Sequence, residues 1–270
     1  VTAWGGFIEE ARQGSFPDGL LSATPADVRA FVSLDKALSS SSRAVKVAAL
    51  RSMYAAVEAE GLIEENPAKK VPLGRVESVH HRAVPQAAIL RVLSRLAESG
   101  KVRDIRDRAL VILMLSVGAR RAEIAALKVG SIYQTEEGRF LVLPGKGGKT
   151  TDMPLKAGAV RAIEKYLDVA GHGDNPDAPL FANVSRRPAH RGKALTSQGV
   201  YHIVKRLFGQ SPHCLRAAAI TSVWSNSDGN TGLAALFARH SPSSGVRLTQ
   251  GVYVQTKKLE RAMVYAPDYQ

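Results

Sequence analysis

A chain of 270 residues, 45% hydrophobic and 23% charged, has room for two ordinary globular domains and a sizeable core. Its single cysteine, Cys214, excludes an intrachain disulfide and any zinc site built on cysteines, and points to a reducing compartment. The formal charge is +13, and the excess is lopsided: residues 1–82 hold 10 basic and 10 acidic side chains, residues 83–270 hold 27 against 14.

That asymmetry predicts a polyanionic partner, with nucleic acid ahead of a membrane surface. The longest apolar run, Ala109 to Leu115, is far short of the roughly 20 residues that cross a bilayer. No signal peptide is legible, and a start on Val1 rather than Met leads us to expect a missing upstream piece. The lone cysteine and the lack of a legible signal lead us to expect the cytoplasm.

Taken in chain order, "SSSSRAVKVAALRSMYAAVEAEG" opens on serines able to cap a helix. It then places Leu50, Met53, Tyr54 and Val57 on one stripe, at the spacing of a helix face. From residue 67 to 84, Pro, Gly and charge mix without periodicity, so a helical domain over 1–68, a linker over 69–84 and a second domain over 85–270 are expected. In the second domain, Ile89, Val92, Leu93 and Leu96 make another amphipathic stripe. "DIRDRALVILMLSVGA" reads as a helix buried on most sides that ends near Gly118. "EIAALKVGSIYQ" leads into a strand pair, "RFLVLPGKGGKTTDMPL", folded about a Gly-rich turn from Gly145 to Gly148. Helices resume around Val160, Ile163 and Leu167, and around Val200, Ile203, Val204 and Leu207, the latter capped from Thr196 or Ser197. The expected fold class is mainly α with a small antiparallel β-sheet, an α+β domain behind a helical N-terminal one.

Four stretches hold candidate chemistry. "GARRAEI" contains Arg120 and Glu123; "PGKGGKT" puts Lys146 at a hairpin tip; "SPHCLRAA" sets His213 and Arg216 three apart on one helical face. "ARHSP" supplies His240, with Tyr253 a short way beyond. Singly, each has an ordinary reading: a surface ion pair, a soluble turn lysine, a capped helix end, a packed aromatic. A phosphate loop is not expected, because GKGGKT lacks the GxxxxGK[ST] spacing and lies between strands.

In order and spacing, the set Arg120, Lys146, His213, Arg216, His240, Tyr253 resembles the tyrosine recombinase (phage integrase) family. "GARRAEIAAL" is similar to its Gly-Leu-Arg-x-Ser-Glu-Leu motif, with Ala for Leu and for Ser. "GKGGKTTDMPL" resembles its β-hairpin lysine segment, "HCLR" its His-x-Leu-Arg box, and "RHSP" its Gly-His-Ser motif. "ALRSMYAAVEAEGLIEENPA" is similar to its helical core-binding domain. Three departures stand out: Ala217-Ala218-Ala219 follow the box, Arg239 stands where the family has Gly, and the span from His240 to Tyr253 is a few residues long.

The resemblance implies cleavage of a DNA strand by Tyr253, leaving a 3′-phosphotyrosyl link and a free 5′-hydroxyl, with no metal, cofactor or ATP. Two guanidiniums, Arg120 and Arg216, suit a bidentate clamp on the phosphate. Glu123 is then a neighbour that orients Arg120. Lys146 is implied as the acid for the leaving oxygen, and His213 and His240, whose imidazoles titrate near neutrality, as partners of the phosphate or the tyrosine. Tyr265 and Tyr269 are rival nucleophiles. Arg43, Lys46 and Arg51 of the first domain, with Arg121 and Lys149 of the second, are the expected DNA contacts. The implied partners are double-stranded DNA, three further copies of the chain in a homotetramer on two sites, and accessory proteins, with no membrane. Residues 256–266, where Leu259 and Met263 suggest an amphipathic helix, are the segment expected to be exchanged between protomers. Two other readings stay open: a DNA-binding regulator that has lost cleavage, and a telomere resolvase or type IB topoisomerase-like strand transferase.

Overall fold

A computed structural model describes residues 2–12, 18–34, 37–72, 83–145, 148–184, 189, 191–239 and 262–269. The chain divides into two compact units, Val1–His80 and His81–Gln270.

The first unit is helical: α1 (Thr2–Arg12), α2 (Asp18–Leu21), α3 (Pro25–Ser33) and α4 (Ser40–Ala59). Thr24 and Asp27 close a reciprocal capping box before α3, with Pro25 at its first position, where a missing N–H costs nothing. Ser39 caps α4 by accepting from the Ser42 N–H at 3.1 Å. The expected stripe of α4 faces inward, with Leu50 and Tyr54 buried and Met53 and Val57 packed at the margin. Tyr54 is fully buried, and its hydroxyl accepts from Trp4 Nε1 at 3.1 Å and donates to the Leu20 carbonyl at 3.0 Å.

The boundary expected at residue 68 needs correction. Ala68 and Val71 are buried in the first unit's core. Arg51 Nε donates to the Ala68 carbonyl at 3.0 Å and Nη2 to the Val71 carbonyl, while Asn66 Nδ2 bonds the Arg51 carbonyl at 3.0 Å. A segment without periodicity is thus stitched down by bonds from side chains to main-chain carbonyls, which residue patterning does not register.

The second unit holds α5 (Gln86–Ala97), α6 (Val102–Val117), α7 (Arg121–Ala126), β1 (Ile132–Thr135), β2 (Gly138–Pro144), β3 (Thr150–Pro154), α8 (Ala157–Ala170), α9 (Ser197–Phe208), α10 (His213–Asn226) and α11 (Thr231–Phe237). From Ala109 to Leu115, α6 is wholly buried, the central rod of the core. Its carboxyl end is closed by Gly118 in the left-handed conformation, φ +58, and a Cβ there would lie 2.8 Å from the Phe237 ring of α11. Asp107, fully buried on α6, takes two bonds from Arg106 at 2.6 and 2.9 Å and one from Arg206 of α9, which ties the two helices together.

The strands form one antiparallel sheet in the order β1-β2-β3, with Ile132 opposite Leu141 and Leu141 opposite Met153. The sequence reading expected two strands. The third, β1, has four residues and no buried one, so its alternation was too short to read. Residues 262–269 return to the second unit, where Ala262, Met263, Ala266 and Tyr269 are buried. Lys156 Nζ donates to the carbonyls of Val264 and Ala266, Asn226 Nδ2 to that of Tyr265 at 3.1 Å, and the Gly158 N–H to Asp268 Oδ1 at 3.2 Å. Most of the helix expected over 256–266 lies outside the described residues; residues 262–264 make one helical turn.

Candidate active site

Arg120 occupies the N-cap of α7, and Glu123, three residues on, folds back to it. The Arg120 N–H donates to Glu123 Oε2 at 2.8 Å, and Arg120 Nη1 to Oε1 at 2.7 Å. Burial alone would raise the Glu123 carboxyl, but Arg239 and the bonds from Arg120 outweigh it and hold it below the ordinary value. The Arg120 side chain is 44% exposed, so its remaining N–H groups stay accessible.

Arg216, one turn into α10, is buried. Its Nη1 donates to the carbonyl of Gly118 and its Nη2 to that of Ala238. Burial first, then the nearby charges of Arg120 and Arg239, push its pKa down to about 10, with Glu123 opposing them. It keeps its charge at neutral pH. His213 begins α10 on the exposed side, three residues before Arg216.

A third guanidinium joins this cluster. Arg239 Nη1 donates to the Val117 carbonyl at 2.7 Å, and Nη2 to Glu123 Oε2 at 2.7 Å and, at 3.4 Å, to the Gly118 carbonyl. In the sequence it showed only as a departure from a glycine. Its side chain follows α11 directly, and no spacing says that it folds back across α6 and α7.

A cleft of about 740 Å³ opens beside the cluster, lined by Arg120, Glu123, Leu143, Lys149, Thr151 and Arg239. The ends of β2 and β3 form its opposite wall, where Gly145 and Lys149 close the hairpin through a 2.6 Å backbone bond. Lys146, expected at a hairpin tip, lies outside the described residues, as do His240 and Tyr253. Tyr269 is buried in another cleft, beside Arg108, Ser222 and Asp268, and Tyr265 packs against the core.

The five expected DNA-contact residues separate by setting. Lys149 and Arg121 are exposed, Lys149 on the cleft wall and Arg121 over the Tyr201 ring at 5.8 Å. In the first unit, Lys46 lies 4.9 Å over the Phe31 ring, Arg43 is half-buried, and Arg51 is engaged by the two carbonyls described above. Among the described residues no three His, Cys, Asp or Glu side chains gather as a metal set.

Comparison with known proteins places this unit in a family. Residues 85–241 match the model of the phage integrase family. The chain is similar to tyrosine recombinase XerC of Pelobacter propionicus, 34% identical over 205 residues, 72% of this chain and 66% of that protein. It is similar to XerC of Roseiflexus castenholzii, 30% identical over 195 residues, 67% of this chain; the chain thus spans 59% of that relative's length. Among solved structures, the fold resembles XerH site-specific recombinase bound to difH substrate in a pre-cleavage complex, with TM-score 0.64 and 18% identity over 99% of this chain and 74% of that one. It also resembles a lambda integrase (75–356) dimer bound to a COC′ core site, with TM-score 0.63 and 16% identity over 92% and 91%. With more than half its length inside the family model, and its arginines and hairpin arranged as described, the chain belongs to the phage integrase family.

Proposed function

We propose that the chain is a site-specific DNA recombinase that breaks and rejoins strands through a 3′-phosphotyrosyl intermediate. The observation that carries this reading is the cluster of Arg120 and Arg216 around one buried carboxylate, at the edge of a cleft walled by the lysine hairpin. Charged donors fixed in place beside the cleft stabilise the charge that develops on a phosphodiester under attack.

Tyr253 is the nucleophile of this reading. Its oxygen forms a bond to phosphorus, the bond from phosphorus to the 5′-oxygen breaks, and the phosphorus keeps its charge. Free tyrosine ionises only near pH 10, so the cationic setting and an imidazole, His213 or His240, take up its proton. Lys146 protonates the departing 5′-oxygen. The phosphotyrosine conserves the bond energy, so a second 5′-hydroxyl reverses the sequence without ATP. Tyr269 is a poor rival, being buried in another cleft.

The helical first unit, through Arg43 and Lys46, and the second, through Arg121 and Lys149, grip double-stranded DNA. A lambda integrase tetramer has been solved on a Holliday junction, and four copies of this chain on two sites are the matching proposal. Accessory proteins and action in the cytoplasm belong to it as well. Exchange of the C-terminal segment between protomers is the proposed means of assembly.

The test is covalent capture. The chain is incubated in EDTA with sheared DNA from the organism that encodes it, denatured, and the protein-linked ends sequenced. The expected result is a recurrent break with the protein on the 3′ end, lost in Tyr253→Phe and kept in Tyr265→Phe. Loss only in Tyr265→Phe moves the nucleophile; tight binding with no adduct turns the reading into the non-cleaving regulator.

A further inference from the structure

Arg239 has a fixed place in the cluster but no part in the chemistry above. Its backbone sits at φ +50, a left-handed conformation that glycine adopts freely and other residues resist. Its side chain is only 10% exposed, so a charge has been taken out of water as well. Both costs are borne at a residue whose fork reaches Val117, Gly118 and Glu123 together.

The consequence lies in how the two oxygens of Glu123 are shared. Arg120 Nη1 bonds Oε1, while Oε2 is filled by the Arg120 backbone N–H and by Arg239 Nη2 from the far side. Arginine facing a carboxylate with both oxygens open closes a two-pronged pair. Here that closure is blocked, and Arg120 stays one-pronged on an exposed side chain that lines the cleft.

We propose that Arg239 is a positioning residue: by occupying Glu123 Oε2 it keeps Arg120 from closing on that carboxylate and leaves the free Arg120 N–H groups for a phosphate in the cleft. This rests on the reading that the cleft takes a phosphate. Proximity of the three guanidiniums agrees with it, since Arg120 and Arg239 both depress Arg216.

The test uses the full chain, ¹⁵N-labelled, titrated with inorganic phosphate while the Arg120 Nε–Hε resonance is followed. Arg120→Gln identifies that resonance. Arg239→Met weakens phosphate at Arg120 by roughly tenfold, the effect of losing one charge-assisted bond. In Arg239→Met with Glu123→Gln no carboxylate is left to capture Arg120, and affinity returns to within about threefold of the parent. A purely structural role predicts the double variant to be as weak as the single or weaker, and that result overturns the proposal. If Arg239→Met fails to fold, Arg239→Gly, which suits the left-handed backbone, takes its place in both arms. Covalent capture on the same proteins separates the two readings. Phosphate binding that follows this pattern with no adduct in any variant keeps the positioning role and removes the recombinase. Adducts from the parent with equal phosphate affinity in Arg239→Met keep the recombinase and remove the role.

Discussion

At Gly118 the end of a helix and the floor of the candidate site are one object. Its left-handed φ closes α6, its missing Cβ makes way for Phe237, and its carbonyl receives Arg216 and Arg239. Gly118→Ala therefore meets both backbone strain and a ring 2.8 Å away, and should lose about 3 kcal/mol in urea unfolding. Glu123 makes a pH prediction. Its folded-state pKa is depressed, so its contribution is present above the unfolded value near 4.5 and is lost as pH falls through the lower folded one. Glu123→Gln should thus be less stable than the parent at pH 7, with the gap narrowing towards pH 3; a gap that stays constant over that range would count against the ion cluster. Arg120, Glu123 and Arg216 were singled out by their resemblance to family motifs, and the structure brings the three together. Arg239 was not, because its partners, the Val117 and Gly118 carbonyls and the Glu123 carboxylate, lie more than 100 residues away in the chain.

Among elements, α6 is the best read and β1 the worst, for one reason. An unbroken apolar run states its burial outright, whereas four half-exposed residues depend on a neighbour strand to become a strand at all. The stripes of α4 and α5 came through because each buries one face against a core. The start of the expected linker, 69–71, was misplaced because Arg51 holds the Val71 carbonyl and Val71 is buried in the first unit's core. Asp107 joins α6 to α9 without contact with solvent, and Asp107→Ala would strand Arg106 beside it. A loss of about 3 kcal/mol is expected by thermal unfolding, and Asp107→Asn should recover part of it.

For the molecule as a whole, charge sets the expectations. With the +13 confined to residues 83–270, DNA binding should fall steeply with salt, log affinity against log salt losing about 0.9 per phosphate neutralised. Lys149→Gln should reduce that slope by about one, measured on duplex DNA, and leave folding unchanged. The returning segment 262–269 gives a second measurement. A Cβ at Gly158 would collide with Asp268 Oδ1 and lie 2.6 Å from the Tyr269 carbonyl oxygen, so Gly158→Ala should unseat the segment. Faster trimming by carboxypeptidase, with the melting of the core little changed, is the expected sign. The hold on that segment has one more property. Lys156 and Asn226 grasp the oxygens of Val264, Tyr265 and Ala266, atoms that every amino acid carries. Such a grip recognises a direction and a shape of main chain, not a signature of side chains. Substitutions at Val264, exposed to water, can therefore accumulate without loosening it.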